Sequence, residues 1–522
     1  MLLEENTANS TSYYLLDRHA ALSPTKVALV GDSYSLTYSE LATLAQKAAN
    51  IFEELAAQEG DRIIIALPDS AEFIAAFLAA ARMGYIAVPI SPFLTSKGYY
   101  SYLSHSKARI AIVHESALTH VFEIAQQLCI VLLVVGGASC AYQNCLKWNE
   151  LITSASAHLS SHAKTATDGI FLLYSSGSTG RPKAVIHRYS SLLVTATSIA
   201  KTALGIKSND TLLSVAKLHF AYGLGNSMSF PLFTGATSLL DAGRPNVRRT
   251  LTVISQHRPS VFFATPTFLE ALLQELRRNH HLYDMSSIRL MLSAGERLLP
   301  HISEAFDHEH NIEVLDGFGA TETLHHFMLT RPGRSTSGSC GTAVPHCELT
   351  LKDENGNNIP AGETGAIWIK GDANFLGYWD GPYSLQNIGD NTWITTGDRF
   401  RCDTTDRYWF CGRKDDLVKL HGLRVEIGEI EALLRSHETV KEAAVLLEGE
   451  GLNAKLAAYI TPHGAEQLTL LQIKEFLAAS LPVHMVVDKL TILSSLPRNA
   501  NGKIDRQALA LAVEASQHTN LL

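Results

Sequence analysis

Residues 61–67 read Asp-Arg-Ile-Ile-Ile-Ala-Leu, residues 70–83 carry apolar side chains at helical spacing, and residues 85–90 return to Tyr-Ile-Ala-Val-Pro-Ile. A β-branched run, a helix-length segment and a second apolar run in that order form a β-α-β unit, which needs parallel strands with a crossover helix packed on the sheet. The alternation recurs over 210–240 and 259–292. Roughly the first 400 residues are therefore expected to be α/β layers built on parallel sheets. The opening part adds a strand-like pair, residues 26–30 and 34–38, and a helical period over 39–55. Near Trp393 the texture changes to short, glycine-punctuated, polar-alternating strands such as TGDRFRCDTTDRYWFCGRKDD, which suits a small barrel-like β subdomain. A boundary is expected close to Asp415, giving a core over 1–414 and a small α+β domain over 415–522. A chain of 522 residues exceeds what one hydrophobic core usually supports.

Composition narrows the partners. With 46% hydrophobic and 18% charged residues the profile is globular, and a net charge of -8 argues against nucleic acid or an anionic membrane surface. The acidic, polar start MLLEENTANSTSYY lacks the basic and then apolar stretches of a signal peptide. Residues 73–81 and 130–135 are apolar but fall well short of the roughly 20 residues of a membrane span, so they read as a core helix and a core strand. The seven cysteines form no CxxC pair and no zinc spacing, and their odd number does not suit a disulfide framework. They read as reduced thiols of a cytoplasmic enzyme whose partners are small molecules, working as a monomer or homodimer.

Four segments carry chemistry. Tyr174-Ser-Ser-Gly-Ser-Thr-Gly-Arg-Pro-Lys183 follows an apolar run, and its hydroxyls, glycines and terminal cation suit an anion cradle. Read blandly it is a flexible turn. It is not the phosphate loop G-x-x-x-x-G-K-[ST], because Gly177, Gly180 and Lys183 have the wrong spacing. Asp316-Gly-Phe-Gly-Ala-Thr-Glu322 offers an aromatic for stacking a base, and a hydroxyl and a carboxylate for phosphate and Mg²⁺. Asp398, with Arg413 beyond it, could hold the hydroxyls of a ribose. The turn-rich Leu496-Pro-Arg-Asn-Ala-Asn-Gly-Lys503 presents a lysine.

In this order and at these separations the four segments, together with KLHGLRVEIGEIE at 419–431, resemble the adenylate-forming superfamily of acyl- and aryl-CoA synthetases, carrier-protein adenylation domains and luciferases. The resemblance implies a large N-terminal domain and a small mobile C-terminal lid turning about a hinge at Asp415. Carried over by position, Ser175, Ser176, Gly177, Ser178, Thr179 and Lys183 would bind the ATP phosphates. Ala294, Gly295, Glu296, Asp316, Gly317 and Phe318 would surround adenine. Thr321 would contact phosphate, Glu322 would hold Mg²⁺, Asp398 and Arg413 would hold the ribose, and Lys503 would assist adenylation. Lys419, Gly422 and Leu423 would face the thiol in the second half-reaction. Two departures stand out: Ala184 replaces the usual glycine after the lysine, and Val486 replaces the usual proline after Met485.

Within the superfamily the nearest likeness is to benzoate-CoA ligases and their aryl relatives, on Lys217-Leu-His-Phe-Ala-Tyr-Gly-Leu-Gly-Asn226, LSAGERLLP at 292–300 and Thr321-Glu-Thr-Leu-His-His-Phe327. The pocket candidates are His219, Phe220, Ala221, Tyr222, Gly223, Gly319, His325 and His326. His219 and His326 stand where those relatives carry apolar residues, which points to a hydroxyl or amino substituent on the ring; the competing reading has each histidine bonded to backbone or water. The expected reaction joins a small aromatic acid to CoA by way of an acyl-AMP. The alternatives are transfer to the phosphopantetheine of a carrier protein, or a non-catalytic nucleotide-binding protein. His301, His308 and His310 read as part of a surface helix rather than a metal cluster.

Overall fold

The structure, a computed structural model, describes residues 11–138, 143–158, 169–176, 182–379, 392–414, 417–420, 423–449, 453–464, 468–498 and 504–519. The chain divides into two compact units. One comprises Met1–Ser175, Pro182–Glu348 and Ile369–Ile394, the other Ser176–Arg181, Leu349–Trp368 and Thr395–Leu522.

The first unit holds two large sheets. The nine-stranded sheet runs in the order Thr342–Ala343, His326–Leu329, Val314–Gly319, Leu290–Ser293, Val261–Ala264, Thr211–Ser214, Thr237–Leu239, Val27–Val30, Ser35–Thr37. Its centre is parallel and both edges are antiparallel. The eight-stranded sheet is built around Arg62–Ala66, Ile86–Pro89 and Ile110–His114, again parallel, with Gly377–Trp379 added antiparallel at one edge.

The expected β-α-β unit is present. Its helix, Ala71–Met83, starts where the Ser70 side chain accepts from the Phe73 N–H and stops at Gly84, whose φ of 73° is the left-handed conformation glycine adopts without strain. Twelve of its residues are buried, so it is hydrophobic all round because it is covered all round. The neighbouring helix Tyr38–Glu54 opens with a capping box between Thr37 and Glu40. No described helix is long and apolar enough to cross a membrane. The apolar run at 130–135 is the strand Val131–Val135.

The second unit contains most of a four-stranded sheet in the order Cys347–Lys352, Thr364–Gly371, Ile394–Cys402, Tyr408–Arg413, and a C-terminal α+β part whose sheet joins Val440–Glu448, Lys455–Pro462 and Lys489–Ile492. In that part Glu431 is buried. It accepts from the Val445 N–H at 2.8 Å and from Arg506 Nη2 at 2.7 Å. Burial pushes the Glu431 carboxyl up and the Arg506 charge opposes that shift. One expectation is corrected: Cys145 is disulfide-bonded, whereas Cys129, Cys340, Cys347, Cys402 and Cys411 are not in disulfides. A tally of cysteine spacings says nothing about which thiols the fold brings within bonding distance.

Candidate active site

Three parallel strands of the nine-stranded sheet end in the segments singled out above. Thr211–Ser214 leads to residues 217–223, Leu290–Ser293 to 294–296, and Val314–Gly319 to 321–322. Segments that follow the carboxyl ends of parallel strands are where open α/β sheets bind ligands, so sheet order brings together what the chain keeps far apart. Five strands are needed below: β1 (Ile170–Ser176), β2 (Pro182–Arg188), β3 (Val314–Gly319), β4 (His326–Leu329) and β5 (Gly377–Trp379). The helical turn α1 spans Ala221–Leu224.

The segments expected to meet a nucleotide are dense in hydrogen bonds. Ser175 lies at the end of β1 and the Ser176 backbone completes it; the Ser176 side chain and Gly177, Ser178 and Thr179 lie outside the described residues. On β2, the Lys183 ammonium sits 5.5 Å from the centre of the Tyr378 ring. Ala184 is fully buried in register with Trp379, so the methyl that replaces the usual glycine packs into the core. Thr321 and Glu322 open the three-residue turn Thr321–Thr323. The Thr321 carbonyl receives a hydrogen bond from His187 Nε2 at 2.7 Å, and the Glu322 carbonyl accepts from the Phe375 N–H at 2.8 Å. Glu322 Oε1 accepts from the Tyr378 hydroxyl at 2.8 Å. Burial pushes His187 down to about 4, so its ring is neutral and can donate from Nε2 alone while stacked on Phe171.

The residues expected around adenine are spread over two strand ends. Ala294 is buried and Gly295 takes a φ of 91°. The Glu296 carboxylate is engaged by the Thr267 hydroxyl at 2.5 Å. Asp316 on β3 is buried; burial pushes its carboxyl up to about 8, against the opposing effects of Cys340, the Gly317 N–H and Arg297. Phe318 is half-exposed and meets Phe327 edge-on at 5.7 Å.

The segments expected to line an acid pocket come from α1 and β4. Lys217 approaches it through a buried network: its ammonium donates to the Asp241 carbonyl at 2.6 Å and lies 3.7 Å from Asp69, whose other oxygen accepts from the Leu218 N–H. Burial raises the Asp69 carboxyl to about 6 although Lys217 opposes this. Gly223 packs so closely that a Cβ would lie 2.1 Å from the Lys217 carbonyl oxygen, and a Cβ on Gly319 would lie 2.4 Å from that of His325. Neither position admits a side chain. Beyond Leu224 the backbone widens into a π-helical stretch, Gly225–Ser229, a local form often found at functional sites.

The histidines divide. His325 pairs its Nε2 with Asn226 Oδ1 at 3.2 Å and packs on Phe230. His326 is buried and neither ring nitrogen has a hydrogen-bond partner among the described residues. Its ring lies 5.4 Å from that of Tyr222 and occupies the space above Gly317, where a Cβ would come within 2.7 Å. Burial lowers it to about 3, so it is neutral and can both donate and accept. His219 is also buried, 4.2 Å from the Phe220 ring, and lowered to about 3 by burial and then by Lys217.

In the second unit, Asp398 and Arg413 face each other across an antiparallel strand pair, with Arg413 Nε 3.5 Å from Asp398 Oδ1. Lys419 and Leu423 lie in a hairpin, paired with Arg424 and Leu420 respectively, and their side chains lie outside the description. Asp415, Gly422 and Lys503 lie outside the described residues. His301, His308 and His310 fall on the helix Pro300–His310, and no metal-binding group of three or more such side chains exists among the described residues. Sequence reasoning passed over Tyr378 and His187, which belong to no recognisable spacing and act across more than 50 residues of chain; Asn226 closes the motif that starts at Lys217, but nothing in that motif pairs it with His325.

The family model for AMP-binding enzymes matches residues 16–379, and that for the AMP-binding enzyme C-terminal domain matches 429–503. The chain is similar to the benzoate–CoA ligase of Thauera aromatica, with 32% identity over 93% of each chain. It is similar to the anthranilate–CoA ligase of Pseudomonas aeruginosa, with 33% identity over 88% of this chain and 89% of that one. Among solved structures it resembles the anthranilate CoA ligase AuaEII in complex with anthranoyl-AMP, with a TM-score of 0.90, 29% identity and coverage of 98% and 99%. A benzoate CoA ligase from Burkholderia xenovorans LB400 gives a TM-score of 0.85, 32% identity and coverage of 96% and 99%.

Proposed function

This chain belongs to the AMP-binding enzyme family, and we propose that it activates a small aromatic carboxylic acid with ATP, releases pyrophosphate, and passes the acyl group of the acyl-AMP to the thiol of CoA. The acid is a benzoate carrying a hydroxyl or amino group. One observation carries that choice: His326 is buried and neutral beside Tyr222, with both ring nitrogens unpartnered. An unpaired buried polar group costs on the order of 1–3 kcal/mol, a cost that a hydrogen-bonding ring substituent would remove. Relatives named for 3-hydroxybenzoate, 4-hydroxybenzoate and anthranilate support the same substrate class.

A carboxylate attacking the α-phosphate brings two anions together, so the site must supply positive charge. Lys183 offers a cation on β2, and in this reading the loop from Ser175 to Thr179 cradles the phosphates with it. Glu322 is the residue that would hold Mg²⁺. A lone carboxylate suits a hard cation that keeps several waters and otherwise binds phosphate oxygens. Once bound, that ion would neutralise phosphate charge. Gly317 and Gly319 keep β3 open beside His326 and His325, and Asp398 with Arg413 would take the ribose hydroxyls. Lys503 would serve adenylation. A turn about Asp415 would then bring the segment of Lys419, Gly422 and Leu423 into play for the thiol. In this reading the functional division falls at 414/415, and the enzyme works in the cytoplasm as a monomer or homodimer.

Transfer to a carrier protein is the second reading, favoured by likeness to the L-proline–[L-prolyl-carrier protein] ligase of Pseudomonas fluorescens, 29% identical over 98% of this chain. One experiment decides. Pyrophosphate exchange is run with benzoate, hydroxybenzoates, 2-aminobenzoate and L-proline, and the thioester product is weighed by mass spectrometry with CoA or a phosphopantetheinyl carrier protein. Exchange with a substituted benzoate and a CoA adduct is expected. Folded protein silent on every aromatic acid would overturn the reading.

A further inference from the structure

Glu322 could not by itself keep a fixed aim. A glutamate side chain has three rotatable bonds, and freezing a long polar side chain carries an entropic cost. In this fold the backbone around it is gripped first, by His187 Nε2 on the Thr321 carbonyl and by the Phe375 N–H on the Glu322 carbonyl. The carboxylate is gripped next. Its Oε1 accepts from the Tyr378 hydroxyl at 2.8 Å, which leaves Oε2 as the oxygen not engaged by that bond.

Tyr378 is itself immobilised. It is the middle residue of β5, paired with Val185 on β2, and its ring meets Phe375 at 5.0 Å. The strand it pairs with is the one that carries Lys183, whose ammonium lies over the Tyr378 ring. One side chain therefore touches the carboxylate with its hydroxyl and the cation with its aromatic face. The ring gives the lysine a favourable contact that is not the carboxylate.

We propose that Tyr378 is a positioning residue for ATP-dependent activation: it takes one oxygen of Glu322 so that the other is presented to Mg²⁺, and it holds Lys183 over its ring face. This rests on Glu322 and Lys183 acting on metal and phosphate as set out above. Hydrogen-bond partners behind a metal ligand orient it and tune its affinity, and their loss typically costs 10–100-fold in metal binding or activity.

The test is Tyr378→Phe, which keeps the ring and removes the hydroxyl. ATP binding is followed by calorimetry with and without Mg²⁺, and pyrophosphate exchange is titrated with Mg²⁺. The Mg²⁺ concentration for half-maximal effect should rise about 10–100-fold in both measurements, with metal-free ATP binding and the KM for the acid unchanged. In a Glu322→Gln background the same substitution should add nothing, because the two side chains act as one unit. A Mg²⁺ requirement that Tyr378→Phe leaves alone overturns the proposal while the functional reading stands. So does a fall in metal-free ATP affinity equal to the fall with Mg²⁺, or a further loss in the Glu322→Gln background. If the unsubstituted enzyme shows no Mg²⁺ dependence of ATP binding, the functional reading fails and the proposal fails with it.

Discussion

The two ends of the candidate site are finished differently. At the proposed nucleotide end the polar groups are engaged by the protein: Thr321 by His187, Glu322 by Tyr378 and Phe375, Glu296 by Thr267. At the proposed acid end Asn226 occupies His325, but the two nitrogens of His326 are left without a partner among the described residues. Groups that serve every substrate alike gain from being locked in advance, since preorganised charge costs nothing to rearrange when the reaction occurs. A group that chooses between substrates has to keep a polar atom uncommitted until the ligand arrives, and the ligand-free fold bears that cost.

The largest effect should come from the locked end. Glu322→Gln is expected to lower pyrophosphate exchange by about 10²–10³-fold, the scale for losing one charge-stabilising group, and by the same factor for every acid accepted. A loss that varied from acid to acid would mean that the two ends are not separable.

A smaller and more selective effect is expected from the open end. His326→Ile should raise kcat/KM for benzoate relative to hydroxy- or aminobenzoates by roughly 10-fold or more, because a site built to pair a polar group rejects ligands without one. An unchanged ratio would show that the histidine does not read the ring.

The smallest effect is on stability. Burial depresses His187 and His346 to about 4, His219 and His326 to about 3, and His325 well below its ordinary value. These rings stay neutral in the fold while the unfolded chain takes up protons near 6.5, so their contribution is complete above pH 6.5 and is lost as pH falls towards 4 and 3. Asp316 runs the other way: raised to about 8, it contributes fully below about 4 and loses that contribution as pH rises through 8. Asp69, raised to about 6, and Glu431, also raised by burial, act in the same direction as Asp316, and the five histidines outweigh these three carboxyls between pH 6.5 and 4. The ligand-free protein should therefore lose stability with acid over that range, and His326→Ile should flatten the slope by up to about 1.4 kcal/mol per pH unit. Denaturant midpoints at several pH values would check this. An equally steep slope in the variant would mean that His326 titrates normally.

What was legible in the chain was periodic or local. The helix expected over 70–83 is Ala71–Met83, that over 39–55 is Tyr38–Glu54, and the apolar runs 61–67 and 85–90 contain the strands Arg62–Ala66 and Ile86–Pro89. Burial on one face or on all faces writes itself into residue spacing, and caps such as Ser70 and Thr37 mark the ends. The motifs around Lys183, Glu322 and Tyr222 were also visible, because backbone that must approach a ligand or another strand closely requires glycine and hydroxyl residues at fixed offsets. Gly223 and Gly319 are two such positions.

Partnership was not legible. Two adjacent histidines, 325 and 326, look alike in sequence, yet one is committed to Asn226 and the other is open, and only the packing of Phe230, Tyr222 and Gly317 around them decides which. The disulfide at Cys145 and the Tyr378–Glu322 bond belong to the same class. Spacing reports which face of an element is buried, a property of near neighbours. Which polar atoms meet depends on sheet order, and sheet order is settled by the packing of the whole chain.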